Sequence, residues 1–234
     1  MSTNINLLTL TQNELTKWFK AAATETTQTK LENMRVFNKG DFQGLNFVEV
    51  DEKLPDINPK FLKLAGFKDS KDEVVFKNRI LIPYFNVYGK VSGFVGYRRD
   101  DKTKYLFSKT YGFNQRTTFY GIHEIKSFDY CILTEGIFDA LRLKALGFKN
   151  VMAISGSYLT VEQKKILAMF VKIIIIADND KAGEKLLKQS KLIEQVAQFR
   201  FNSKYNDIDD YGKAKPKELK DLFNKFLLRN GITL

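Results

Sequence analysis

The sequence predicts an α/β chain in which a parallel sheet flanked by helices is preceded by a smaller α+β N-terminal subdomain. Two observations carry this reading. Across residues 130–198, apolar strand-length runs alternate with helix-length segments, which implies right-handed crossovers and a parallel sheet covered on both faces. Across residues 74–98, β-branched and aromatic residues dominate and break at Tyr88-Gly89-Lys90, a hairpin pattern that belongs to a separate, antiparallel unit.

Taken in order, residues 10–34 read as one helix: Thr11 or Asn13 caps it, and Leu15, Trp18, Phe19 and Ala22 recur at helical spacing. Residues 37–50 mix glycine and asparagine with aromatics and read as irregular. Pro55 and Pro59 then punctuate a polar link to a short helix over 59–64, closed by Gly66. After the hairpin a further strand is expected over 104–108. Beyond Phe128 the pattern is strand 130–134, helix 137–146 ending at Gly147, strand 151–154, helix 160–170, strand 171–177 and helix 182–198. The expected organisation is an N-terminal α+β subdomain over 1–126, an α/β domain over 127–212 and a C-terminal amphipathic helix over 213–234. That last helix presents Leu219, Leu222, Phe223, Phe226 and Leu227 on one face, for docking on the core or on a partner.

The 234 residues include 38 Lys plus Arg against 27 Asp plus Glu, a net charge of +11 that favours a polyanionic partner through counterion release. A lysine-rich solvated surface is the bland alternative. No apolar run is long enough to cross a bilayer, so no membrane partner is expected. The N-terminus has no basic segment ahead of an apolar stretch, so the expected place is intracellular. One cysteine, Cys131, and one histidine, His123, cannot build a Cys/His zinc site, so any metal must sit mainly on carboxylates. Cys131 reads as a small buried apolar residue and His123 as an ordinary surface or joint histidine.

In an open parallel sheet the functional crevice lies beyond the carboxyl ends of the strands. Glu135 directly follows the strand ending at Thr134, and Asp178-Asn179-Asp180 directly follows the strand ending at Ala177. Two strands thus deliver three hard oxygen ligands to one edge, a set suited to Mg²⁺ or Mn²⁺ acting on phosphates. Taken singly, each acid reads equally as a helix cap.

At these residues the chain resembles the Toprim family, shared by DnaG-type primases, topoisomerases, OLD nucleases and recombination-repair proteins. The motifs are Leu133-Thr134-Glu135-Gly136-Ile137-Phe138-Asp139-Ala140 and Ile176-Ala177-Asp178-Asn179-Asp180-Lys181-Ala182-Gly183, with the Gly-containing loop Ile154-Ser155-Gly156-Ser157-Tyr158-Leu159-Thr160 between them. The resemblance implies Glu135 as metal ligand or general acid/base, and Asp178 and Asp180 as metal ligands. Asp139 matches a position that supports the site, or is an exposed helix acid. Tyr205-Asn206-Asp207-Ile208-Asp209-Asp210-Tyr211 resembles the Asp-rich segment of DnaG-type enzymes; it implies Asp207 and Asp209 as further metal ligands, with Asp210 less clearly placed. A solvated acidic loop is the competing reading.

Upstream, Leu64-Ala65-Gly66-Phe67, Phe76-Lys77-Asn78-Arg79-Ile80-Leu81-Ile82-Pro83, Gly89-Lys90-Val91-Ser92-Gly93-Phe94-Val95-Gly96-Tyr97-Arg98, Lys104-Tyr105-Leu106-Phe107-Ser108 and Phe119-Tyr120-Gly121-Ile122 resemble, in order, the segment preceding Toprim in the DnaG polymerase core. This implies template or nucleotide contacts at Arg79, Arg98 and Lys104. Lys181, next to Asp180, joins them as a nucleotide-binding candidate, with Arg99, Lys109 and Arg116 behind. Tyr84, Tyr88, Phe94, Tyr97 and Tyr105 are either base-stacking residues or core.

The implied activity is metal-dependent, template-directed synthesis of short primers from nucleoside triphosphates on single-stranded DNA, a nucleotidyltransferase reaction. The alternatives are a Toprim nuclease or a non-catalytic single-stranded DNA-binding replication accessory protein. The zinc-binding and helicase modules of typical relatives are not in this sequence, so template choice is expected to come from a partner, such as a replicative helicase or a separate template-recognition protein, or to be relaxed.

Overall fold

The computed structural model describes residues 2–42, 44–50, 57–191 and 193–233. Pro55, expected to punctuate the polar link, lies outside the described residues. The chain divides into two compact units of nearly equal length, Met1–Asn114 and Gln115–Leu234.

In the first unit, helices α1 (Ser2–Ala22) and α2 (Glu25–Arg35) replace the single helix expected over 10–34. The break falls at Thr24, whose extended backbone and hydroxyl, accepting the Thr27 N–H at 3.1 Å, start a new helix. A short helix α3 (Pro59–Leu62) follows, and Gly66, at φ +87°, supplies the left-handed residue that turns the chain away from it. Four antiparallel strands, β1 (Val48–Val50), β2 (Arg79–Phe85), β3 (Val91–Tyr97) and β4 (Tyr105–Phe107), pair in sequence order. Strand β1 emerges from the stretch expected to be irregular, with Val48 opposite Leu81. Its three residues, Val-Glu-Val, are too short a run to declare a strand by periodicity. Trp18 and Phe19 of α1 pack with Phe67, Phe76 and Phe94 into an aromatic core, in which Phe67 and Phe94 stack at 4.9 Å.

In the second unit the order is β5 (Tyr130–Thr134), α4 (Ile137–Ala145), β6 (Val151–Ala153), α5 (Val161–Leu167), β7 (Lys172–Ile176), α6 (Lys181–Ser190), β8 (Val196–Phe199), α7 (Ile208–Ala214) and α8 (Pro216–Arg229). The strands are parallel in the order β6-β5-β7-β8. Consecutive Ile173, Ile174 and Ile175 are all fully buried, which requires both faces of the sheet to be covered. Each such side chain contributes roughly 1.5–3 kcal/mol of burial. The amphipathic α8 docks on this unit: Phe223 packs edge-on against Phe148 at 4.8 Å and Phe199 at 4.7 Å.

Two expectations are corrected here. The helix expected over 182–198 stops at Ser190, and 196–199 is strand β8. Gln198 bonds the Leu187 carbonyl at 2.8 Å, and the short Val-Ala-Gln-Phe edge strand was hidden behind a helix-compatible composition. The joint expected near Lys126 falls between Asn114 and Gln115. Tyr120 exchanges both backbone hydrogen bonds with Ala153, and Gln163 donates to the Thr118 carbonyl at 2.8 Å, so 115–126 packs with the parallel sheet.

Candidate active site

The acids gather at the carboxyl edge of the parallel sheet. Glu135, one residue past β5, is buried and accepts the backbone N–H of Asp178, two residues past β7, at 2.9 Å. Asp178 is half-buried, and Gly183 of α6 lies so close beneath it that a Cβ there would stand 2.0 Å from the Asp178 carbonyl oxygen. Asp180 is exposed and caps α6, accepting the Gly183 N–H at 2.8 Å. Asn179, the middle residue of the motif, bonds the Tyr205 carbonyl through its side chain at 2.8 Å and the Asn206 carbonyl through its N–H at 2.7 Å. It thereby ties the Asp-rich segment beside the two strand-end acids. Sequence reasoning passed over Asn179 because nothing in its spacing marks a tertiary contact.

Asp207 caps α7, accepting the Asp210 N–H at 2.7 Å. Asp139, one turn into α4, is buried and accepts two backbone N–H groups, from Gly136 at 3.2 Å and from Asp209 at 2.9 Å. It therefore supports the site from inside, in place of the exposed helix acid that the sequence also allowed.

The electrostatics are those of crowded like charges. The Asp178 carboxyl is driven far above the usual carboxylate range, first by burial and then by Asp139, Glu135, Asp207 and Asp180 around it. Burial pushes Glu135 up to about 7, opposed by the Asp178 N–H and reinforced by Asp180. Asp207 is also raised, mainly by burial. Hard oxygen donors that repel one another in this way fit a divalent cation such as Mg²⁺ or Mn²⁺. In the present rotamers no three His, Cys, Asp or Glu side chains among the described residues converge on one point. Glu135, Asp180 and Asp207 each hold one oxygen on a backbone N–H, so the fit lies in donor chemistry and neighbourhood.

Asp209, implied as a further ligand, is 1% exposed, and its oxygens are engaged by two cations, Arg142 of α4 and Lys213 of α7. Asp210 is exposed and pairs with Lys213 at 3.2 Å.

The basic candidates separate in the same way. Arg79 is 7% exposed; its guanidinium bonds the Thr103 carbonyl at 2.9 Å and Asp101 at 2.8 Å, so the structure gives it the task of holding the β3–β4 loop where phosphate contact was expected. Arg98 and Lys104 are exposed and face each other across that hairpin, joined by the Arg98 N–H to Lys104 carbonyl bond at 3.0 Å. Lys181 is exposed at the first position of α6. Arg99 bonds the Met34 carbonyl, Lys109 is exposed, and Arg116 lies over the Tyr158 ring at 4.0 Å. Tyr84, Phe94 and Tyr97 are core, whereas Tyr88 and Tyr105 keep exposed rings. Among the described residues no helix is long and apolar enough to cross a membrane.

Comparison with known proteins agrees with this geometry. Residues 132–213 match a Toprim-like family model. The DNA primase of Clostridium acetobutylicum is 39% identical over 129 residues, covering 51% of this chain and 22% of that protein. The DNA primase of Aquifex aeolicus is 36% identical over 124 residues, covering 50% and 25%. This chain thus spans a quarter or less of the length of these relatives. Among solved structures, the zinc-binding and RNA polymerase domains of the Aquifex aeolicus primase superpose with TM-score 0.71 at 27% identity, covering 84% of this chain and 55% of that one. A DnaG primase catalytic domain bound to single-stranded DNA superposes with TM-score 0.76 at 17% identity, covering 96% and 80%.

Glu135, Asp178 and Asp180, beyond the ends of parallel strands, thus all lie within the stretch that matches the Toprim-like family model. That domain sits in a chain with the fold of the DnaG-type primase catalytic core.

Proposed function

We propose that this chain is the catalytic core of a DNA primase: a nucleotidyltransferase that builds short primers on single-stranded DNA from nucleoside triphosphates. The observation that carries the reading is the Glu135–Asp178 hydrogen bond, which joins the acids of two strand ends in one crowded, partly buried cluster. The primase relatives in sequence and fold favour synthesis over the other Toprim chemistries.

Glu135, Asp178, Asp180 and Asp207 would hold Mg²⁺ or Mn²⁺. When bound, the ion would neutralise phosphate oxygens and make a 3′-hydroxyl a better nucleophile toward the α-phosphorus. The chain's own residues do the rest. Glu135, held on the Asp178 N–H, keeps its carboxylate in place beside the other acids. Lys181, beside Asp180, offers an ammonium to the phosphates of the incoming nucleotide. Arg98 and Lys104 grip template phosphates, and the exposed ring of Tyr88 is presented to bases, while that of Tyr105 also packs on Tyr97 at 5.4 Å. A replicative helicase or a template-recognition protein would deliver the strand. The expected place of work is the cytoplasm, at the nucleoid or a viral replication complex, where templates and triphosphates occur.

The test is to incubate the protein with single-stranded DNA, labelled nucleotides and Mg²⁺ or Mn²⁺, and to separate products on a denaturing gel. Short oligomers that require template and all four nucleotides support the proposal. Template shortening without nucleotide dependence would replace it with a nuclease. Strand binding that persists in chelator, with no product under any metal, would replace it with an accessory DNA-binding protein.

A further inference from the structure

We propose that Arg142 is a built-in cation that fixes the turn carrying Asp207 before any metal binds, and that Asp209 serves this brace in place of the metal.

Arg142 and Asp209 stand 67 positions apart in sequence, yet the Arg142 Nε and Nη2 atoms lie 3.0 and 2.9 Å from Asp209 Oδ1. Both side chains are nearly excluded from solvent, at 6% and 1% exposure. Lys213 Nζ holds the second oxygen, Oδ2, at 2.7 Å. Two further contacts build the turn around this pair. Asp139, one turn before Arg142 on the same face of α4, accepts the Asp209 N–H. Gly212 of α7 lies against the stem of Arg142, where a Cβ would approach Cγ within 2.5 Å. The main chain and the side chain of Asp209 are thus both gripped by α4, and Asp207, two residues earlier, caps the helix so fixed.

A carboxylate already saturated by two cations has little attraction left for a third. Removing one partner of such a buried pair leaves an uncompensated charge, so the turn would open or would draw on metal to close. In this chain Arg142 therefore acts as a positioning residue. It makes the presentation of Asp207 independent of metal and leaves Glu135, Asp178, Asp180 and Asp207 as the cation-binding set.

Its connection to synthesis rests on the primase reading; metal binding and amide exchange do not. The experiment uses the full chain, with hydrogen exchange over 207–214 and Mn²⁺ affinity read by electron paramagnetic resonance. In the unsubstituted protein, exchange in this segment should be within about threefold with and without Mg²⁺. Arg142→Met should speed exchange in this segment by about tenfold without metal and weaken Mn²⁺ binding by about tenfold, the range of metal-site support residues. Saturating Mg²⁺ should restore the protection, and Arg142→Lys should lie between. In the synthesis assay the same variant should need about tenfold more metal for half-maximal rate and regain kcat at saturation. Faster exchange spread over β5–β7 would mark a general loss of stability and overturn the proposal. Tighter Mn²⁺ binding in Arg142→Met would show that Asp209 is a ligand held in reserve, and would overturn it as well. If Arg142→Met does not fold, Arg142→Lys carries the same test with smaller changes of the same sign.

Discussion

The Glu135 carboxylate accepts the main-chain N–H of Asp178 at 2.9 Å. This bond spans β5 and β7, the adjacent central strands of the parallel sheet, and sets two acids side by side: burial raises both, Asp180 adds to the rise of Glu135, and Asp139 and Glu135 add to that of Asp178. The consequences can be measured.

The first concerns pH. Glu135 is raised from 4.5 to about 7, so between those values the folded chain binds more protons than the unfolded chain. Stability then falls as pH rises through this window, and the upward shift of Asp178 extends the fall to higher pH. Thermal unfolding of the metal-free protein should show Tm dropping by on the order of several degrees from pH 5 to pH 8. Glu135→Gln, which keeps an acceptor for the Asp178 N–H, should flatten that slope and abolish synthesis.

The second concerns metal. Because the cluster is under like-charge repulsion, Mg²⁺ should raise Tm at pH 8 and do so much less at pH 5, where protons already occupy the acids. At a hundredfold excess over Kd the gain is about 2.7 kcal/mol. Differential scanning calorimetry with Asp178→Asn as control should show the gain lost in the variant.

The third concerns Gly183. Its absent Cβ makes room for the Asp178 carbonyl, so Gly183→Ala should destabilise the fold by about 1–3 kcal/mol through overpacking. Denaturant unfolding reads the loss, and synthesis should fall further than stability alone explains, because Asp178 is displaced.

The fourth separates the arginines. Arg98→Ala and Lys104→Ala should leave Tm unchanged and each reduce the salt dependence of single-stranded DNA binding by about one ion. Arg79→Ala should lower Tm, because it removes the bonds to Thr103 and Asp101. Fluorescence anisotropy across a salt series, with parallel thermal melts, distinguishes the two outcomes.

The sequence was most legible where one period or one motif suffices. Strand ends followed by acids placed Glu135, Asp178 and Asp180 on one edge, and the hairpin announced itself at Tyr88-Gly89-Lys90. It was least legible where a partner distant in sequence decides. Nothing in local spacing announces that Asp209 pairs with Arg142 and Lys213, or that Arg79 bonds Asp101 and the Thr103 carbonyl. Short strands fail for a related reason: β1 and β8 are defined by the neighbours they pair with, Leu81 and Ile174 among them, more than by their own three or four residues. The break at Thr24 was readable as an N-cap, but the helical periodicity on either side concealed it.

The measurement that bears most directly on the acid cluster is template-directed nucleotide incorporation by Asp178→Asn beside the unsubstituted chain, with circular dichroism confirming that both are folded. A fall in incorporation of at least about a hundredfold, with single-stranded DNA binding retained, is the predicted result, because the carboxylate stabilises charge that develops only in the reaction. Incorporation at the unsubstituted rate in a folded Asp178→Asn protein would contradict the account.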